Sequence, residues 1–320
     1  MLDLISLGEL LIDFTPHGKS EQGNDLFECN PGGGAANMAV AMAAYGARCA
    51  FMGKVGDDFF GNRLKQYLSD KGVDTGALVR SGEYMTTLAF VHLFADGERD
   101  FTFYRKNGAD AMLKLADIDF AKIDQARALH FSSLTLVNDD AKQATFAAAA
   151  YARKRGKWVS YDVNWRANLW EDADLCRANM KEGLVYADII KLSEEELVYL
   201  CDTADYAKGA RMLFDLGAKL VLVSKGAAGS EYYSRDFSGQ IAPFTVTAVD
   251  GTGAGDCFFG NAVAGMLEAN IDLDHMAEET LRDILTFASA AAALCVTGKG
   301  AMPSMPDKAR TASFLKSRSK

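Results

Sequence analysis

Short apolar runs alternate with longer amphipathic stretches along most of the chain, an alternation that predicts a parallel sheet covered by helices. Strands are expected at 3–7, 48–53, 127–131, 158–163, 187–192 and 219–224. Helices are expected at about 33–45, 58–71, 138–155, 193–201, 206–216, 254–269 and 279–295. One segment breaks this rhythm. Met85 to Phe94, then Ala95-Asp96-Gly97-Glu98, then Arg99 to Arg105 reads as a β-hairpin turned on Asp-Gly. Strand-like pieces near 11–14 and 25–29 can join it in a small second sheet, and an apolar appendage beside a site is expected to serve as a lid. No repeat, low-complexity tract or Pro-rich linker divides the chain. A single α/β domain over 1–320 is expected, with a lid inserted from about 11–30 and 84–107.

Composition narrows the class. With 320 residues, 49 % of them hydrophobic, the chain can bury a large core. A net charge of −9 argues against a nucleic-acid surface, and the basic cluster Arg153-Lys154-Arg155 reads as an exposed helix end. The six cysteines form no C-x-x-C pair, so neither a disulfide framework nor a zinc site is indicated. The N-terminus lacks the pattern of a signal peptide and no apolar stretch approaches a membrane span, so a cytoplasmic location is expected. His17, His92, His130 and His275 share no metal-ligand spacing.

Candidate chemistry sits at two glycine-rich helix starts. In Asp250-Gly251-Thr252-Gly253-Ala254-Gly255-Asp256 a glycine-rich turn opens into the apolar run Cys257 to Leu267. Backbone N–H groups in a first helical turn lack intrahelical partners and face anions together with the positive dipole end. Gly253, Ala254 and Gly255 allow close approach of a phosphate, and Asp256 can take a proton from an attacking hydroxyl. The alternative is a plain turn with an ordinary first-turn acid. The loop is neither a dinucleotide fingerprint, since Asp256 stands where the third glycine belongs, nor a Walker A loop, since Gly-Lys-Ser/Thr is missing. The second start is Pro31-Gly32-Gly33-Gly34-Ala35-Ala36-Asn37, followed by Gly53-Lys54-Val55-Gly56-Asp57-Asp58. Asn37, and Asp13 from the apolar run at 8–14, offer hydrogen bonds to a ligand there, although Asp13 also fits a strand-end acid in solvent.

With both ends in hand the chain resembles the PfkB (ribokinase-like) family of sugar kinases over about residues 2–307. The block at 31–37 with 53–58 is similar to the family's first signature, and 250–256 to its second. The resemblance implies a Rossmann-type three-layer sandwich with a mostly parallel central sheet and a small β-sheet lid. Within the family, Ile12-Asp13-Phe14-Thr15-Pro16, Phe103-Tyr104-Arg105 with Ala109-Asp110, Asp162-x-Asn164-x-Arg166 and Lys299-Gly300-Ala301 look most like fructokinases. The alternative acceptor is 2-keto-3-deoxygluconate, whose carboxylate an arginine can meet. A noncatalytic sugar-binding regulator and a nucleoside kinase of the same fold are the readings from other classes.

The resemblance also implies roles. Asp256 matches the general base, and the amides of Gly253, Ala254 and Gly255 match the anion hole for the phosphate of ATP. Asp13, Gly33 and Asn37 match positions that hold sugar hydroxyls, and Tyr104, Arg105 and Arg166 match positions near the variable end of the sugar. Glu196 matches a residue that places Mg²⁺ through water, with Ser193 standing for the usual asparagine. Ser193 and Glu196 also read as a capping box. Ser224, Gly226 and Gly229 match a nucleotide-side turn, which equally fits a plain hairpin loop, and Ser289 matches a position bordering adenine. Asp250, Thr252, Gly300 and Ser304 match positions around a K⁺ site, where Gly251 departs from the usual threonine. A homodimer formed through the lid is implied as well.

Overall fold

The computed structural model describes residues 1–93 and 99–318, so the expected turn at Ala95-Asp96-Gly97-Glu98 lies outside the described residues. The strands are β1 (Leu2–Leu7), β2 (Leu11–Lys19), β3 (Asp25–Gly32), β4 (Cys49–Gly56), β5 (Asp74–Ser81), β6 (Leu88–Leu93) and β7 (Arg99–Tyr104). They continue as β8 (Ala126–Ser132), β9 (Trp158–Asp162), β10 (Ile189–Ser193), β11 (Leu220–Ser224), β12 (Ser230–Tyr233) and β13 (Ser238–Ile241). The helices are α1 (Gly34–Tyr45), α2 (Phe59–Asp70), α3 (Phe120–Asp124), α4 (Asp139–Lys154), α5 (Ala173–Leu184) and α6 (Glu194–Cys201). After them come α7 (Tyr206–Asp215), α8 (Ala254–Glu268), α9 (Glu278–Cys295), α10 (Ala301–Ser304) and α11 (Lys308–Arg318).

The large sheet has the order β13-β12-β11-β10-β9-β8-β1-β4-β5, parallel except that β12 runs antiparallel to both of its neighbours. Its central strands are buried at nearly every position because both faces are covered, and most of their residues are apolar. Ile189, Leu220 and Leu222 point into a core with Met38 and Met42 of α1, Phe259 of α8 and Leu285 of α9. Their neighbours Ile190, Leu192, Val221 and Val223 point into the opposite core, against α4, α5, α6 and α7. The result is a three-layer sandwich. Helix α8 lies inside one layer, with every residue from Asp256 to Leu267 buried. It can approach α1 closely because residue 260 is glycine; a Cβ there would stand 2.9 Å from that of Ala41.

Chain order reverses at β1, which pairs with β4 on one side and β8 on the other. In open α/β sheets the crevice beyond the carboxyl ends of the strands at such a point receives ligands. The segments leaving β1, β8, β9, β10 and β11 all open there.

A second sheet, β3-β2-β6-β7, grows from the short bend after β1. Its register sorts the two faces. Asp13 lies opposite Asn30 and Ala89, and Ala89 opposite Phe103, so these share one face. The other face carries aromatic groups: Phe14 stacks on Phe90 at 4.9 Å, and Phe27 and Tyr104 meet the Phe90 ring edge to face.

Strands β5, β12 and β13 and helices α3, α5, α10 and α11 go beyond the elements expected from sequence. β13 is Ser-Gly-Gln-Ile with one buried residue, so no apolar run marks it.

Candidate active site

Helix α8 begins at Gly253 with φ 77°, a left-handed conformation suited to glycine; a Cβ would also press on Ala301 at 2.6 Å. The first bond to the Gly253 carbonyl comes from Cys257 N–H at 2.8 Å. The amides of Gly255 and Asp256 therefore precede the helical ladder, while that of Ala254 turns back to the Gly251 carbonyl at 3.3 Å. A Cβ on Gly255 would lie 2.8 Å from Lys191 Nζ, so an ammonium borders the same loop. Lys191 donates to both oxygens of Asp162 at 3.0 Å. Burial alone would push this ammonium down, but the carboxylates of Asp162, Glu196 and Asp256 outweigh it and hold Lys191 charged.

Asp256 is buried, and its Oδ2 accepts from Asn37 Nδ2 at 2.8 Å. Burial and the nearby Asp162 charge push its carboxyl up to about 6, against the opposing pull of Lys191, Asn37 and Arg166. A proton acceptor poised in that range, beside amides and an ammonium, suits transfer of a proton near neutrality.

Helix α1 starts in the same way but meets a different neighbour. Its N-cap is Gly33, φ 108°, and no side chain of its own caps it. Glu9, fully buried in the bend after β1, accepts from Ala35 N–H at 3.3 Å and, through its other oxygen, from Ser132 Oγ at 3.1 Å. Burial pushes the Glu9 carboxyl up to about 7. Asp13 leans over Gly32, where a Cβ would collide with its carboxylate. Burial raises it to about 7, with Arg166 the main opposing charge.

Asp13, Gly33, Asn37, Arg166 and Asp256 are thus gathered at one place. Tyr104 is not: it lies on the aromatic face, opposite to Asp13, and is 66 % exposed. Arg105 is buried and committed, its Nε donating to Asp110 at 2.7 Å and an Nη to the Leu134 carbonyl at 2.9 Å. Arg166 is half-buried and donates to the Trp165 carbonyl.

Ser193 and Glu196 form the capping box of α6, with Glu196 Oε2 accepting from Ser193 N–H at 2.6 Å. Its Oε1 accepts from Trp165 N–H at 2.7 Å, tying β10 to the segment after β9. Ser224 ends β11, and the turn behind it has positive φ at Gly226 and Gly229. Ser289 lies half-buried on α9. Asp250 accepts from Thr252 N–H at 2.8 Å and Gly300 N–H at 2.9 Å, and Ser304 Oγ donates to the Lys299 carbonyl at 2.9 Å. Among the described residues no group of three or more His, Cys, Asp or Glu could hold a metal ion. The surface grooves around Arg235, Phe237 and Asp274 share none of these residues.

Glu9, Asp162, Asn164 and Lys191 belong to this cluster although sequence reasoning assigned them no role. Glu9, Asp162 and Asn164 are polar residues at or just beyond the end of a strand run and Lys191 interrupts one, the signal that could have singled them out.

The chain matches the pfkB family carbohydrate kinase model over residues 1–308. It is 42 % identical over 312 residues to a probable chloroplastic fructokinase-6 of Arabidopsis thaliana, covering 95 % of this chain and 80 % of that protein. A solved fructokinase from Xylella fastidiosa with bound ATP superposes with a TM-score of 0.92 at 34 % identity, covering 99 % of each chain. A double mutant of the Vibrio cholerae O395 fructokinase, in a form holding fructose, ADP and potassium, superposes with a TM-score of 0.90 at 34 % identity, covering 98 % of each.

Proposed function

We infer the reaction from one premise, that this chain belongs to the pfkB family of carbohydrate kinases: it is an ATP-dependent sugar kinase, and its acceptor is D-fructose. The observation that carries the chemistry is Asp256, a buried carboxylate held by Asn37 at the start of α8. As general base it removes the proton of a sugar hydroxyl, whose oxygen attacks the γ-phosphorus of ATP. The amides at the start of α8 and the Lys191 ammonium stabilise charge on the transferring group. Asp13 and Asn37 hold sugar hydroxyls, since a carboxylate can accept two such bonds. Gly33 lets the sugar approach the backbone. The turn Ser224 to Gly229 and Ser289 border the nucleotide. A noncatalytic sugar binder has no use for this base and anion loop together.

Fructose is favoured over 2-keto-3-deoxygluconate by the likeness to fructokinases among both the relatives and the solved structures; Arg105 gives a sugar acid no added hold. An arginine already bonded to Asp110 and Leu134 is not offered to a substrate carboxylate. Arg166 is left as the charge near the acceptor.

The chain uses a nucleotide and metal ions, as its structural neighbours do. Mg²⁺ fits the oxygen donors at the carboxyl edge, where Glu196 would place it through water, and would neutralise phosphate charge. K⁺ fits the oxygen-rich setting of Asp250, Thr252, Gly300 and Ser304. The small sheet serves as a lid, and its exposed aromatic face, with Phe27 and Tyr104, pairs two copies into a homodimer; a monomer in sedimentation equilibrium would remove that assignment. No helix among the described residues is long and apolar enough to cross a membrane, and a cytoplasmic enzyme would meet both substrates in solution.

The test is ADP release with fructose, 2-keto-3-deoxygluconate, ribose and adenosine as acceptors of Mg-ATP, repeated with K⁺ replaced by tetramethylammonium. Fructose should be turned over fastest, and faster in K⁺. No turnover with any sugar overturns the reading.

A further inference from the structure

Asn164 stands beside the proposed base and the start of α1 without a part in the scheme above. It follows β9, is 7 % exposed, and has φ 41°, a left-handed backbone that asparagine tolerates better than most residues. It is fixed on several sides: its N–H donates to Asp162 Oδ1 at 3.1 Å, its carbonyl accepts from Ser133 Oγ at 3.4 Å, and the next amide, Trp165 N–H, donates to Glu196. Its side chain reaches across to the start of α1. A methyl group on Gly34 would collide with Asn164 Nδ2 while standing 3.2 Å from Glu9 Oε1 and 3.5 Å from Asp256 Oδ1. The amide of Asn164 and the second oxygen of the base therefore converge over one glycine. The first oxygen is occupied by Asn37.

We propose that Asn164 contacts the acceptor sugar directly, its Nδ2 donating to the hydroxyl oxygen whose proton Asp256 Oδ1 removes. The proposal rests on the reading of Asp256 as base. A hydroxyl has one proton and two lone pairs. With the proton directed to Asp256 and one lone pair to Asn164, the remaining lone pair is the one presented to phosphorus. The proton passes to Asp256, the new bond forms between that oxygen and the γ-phosphorus, and the bond from γ-phosphorus to the bridging oxygen breaks, its electrons leaving on ADP. The left-handed turn does not by itself require this side chain, because glycine adopts φ 41° with less strain. What glycine lacks is the donor.

Asn164→Gly and Asn164→Asp, assayed beside the unaltered protein with fructose and Mg-ATP, test the idea. Asn164→Gly should melt no lower than the parent, keep its KM for ATP, and lose about 10–100-fold in kcat, the range for one hydrogen bond to a group gaining charge. Asn164→Asp sets a second carboxylate beside Asp256, so the acid limb of kcat/KM should move to higher pH. A kcat within about twofold of the parent in Asn164→Gly, or an unmoved acid limb in Asn164→Asp, overturns the proposal while leaving the base assignment standing. Failure of the unaltered protein to phosphorylate any sugar overturns both.

Discussion

Helices α1 and α8 open on the same device and end up with opposite duties. Each starts at a glycine with positive φ, continues through small residues, and has no side-chain cap of its own. At α1 a buried carboxyl, Glu9, approaches from the bend after β1 and meets the Ala35 amide. At α8 the neighbour that borders Gly255 is an ammonium, Lys191. One start thus meets a protein acid, and the other meets a cation, which suits the anion-binding role proposed for it. A glycine-rich helix start is a permission rather than a function, and what the neighbouring strand ends place in front of it decides the outcome.

Breaking the α8 side should have the largest effect. Asp256→Asn removes the base, and kcat is expected to fall about 10²–10⁴-fold with folding intact; near-parental turnover would sink the assignment. In the parent, the base must be deprotonated and its carboxyl is raised to about 6, so kcat/KM should drop as pH falls through that value.

The α1 side is probed by Glu9→Gln, which keeps an acceptor for Ala35 and a partner for Ser132. The Glu9 carboxyl lies near 7 in the folded protein against an ordinary 4.5, so folding favours its protonated form. Its contribution to stability is complete below pH 4.5 and is lost as pH rises to about 7. Glu9→Gln has no such loss, and between pH 5 and 8 it should lose less stability than the parent, by on the order of 2–3 kcal/mol. Parallel stability curves from urea unfolding would rule this out.

The smallest expected change concerns the bond that joins the two helices. Asn37→Ala releases Asp256 Oδ2, and a loss of about tenfold in kcat is expected. Asn37 pulls the base downward, so its removal should also shift the acid limb upward. A limb that moves down instead would mean that the bond does not tune the base.

Much of this was legible before the structure. Strands such as Leu220 to Ser224 are buried on both faces, and an uninterrupted apolar run bounded by turns marks them. Asp256 and Asn37 were found because glycine blocks announce the helix starts that carry them. Asn164, Glu9 and Lys191 received no role because theirs depend on approach through space: Glu9 meets an amide 26 residues away, Lys191 a carboxylate 29 away. The likeness to fructokinases puts Tyr104 near the sugar, but Phe101-Thr102-Phe103-Tyr104 is apolar at most positions and only the register with β6 assigns a face to each. For Arg105 the deciding fact was the bond to Asp110, five residues on, which a sequence leaves open between a neighbour and a substrate.

The bond between Asn37 and Asp256 joins residues 219 positions apart. During synthesis, at about 5–20 residues per second, the partner of the base is therefore made roughly 10–45 seconds before the base itself. For most of its time on the ribosome a nascent chain therefore carries the residues proposed to hold the sugar without the proposed base. On the proposed mechanism the group that lets the chain spend ATP is thus made after most of the strands and after the residues proposed to hold the sugar.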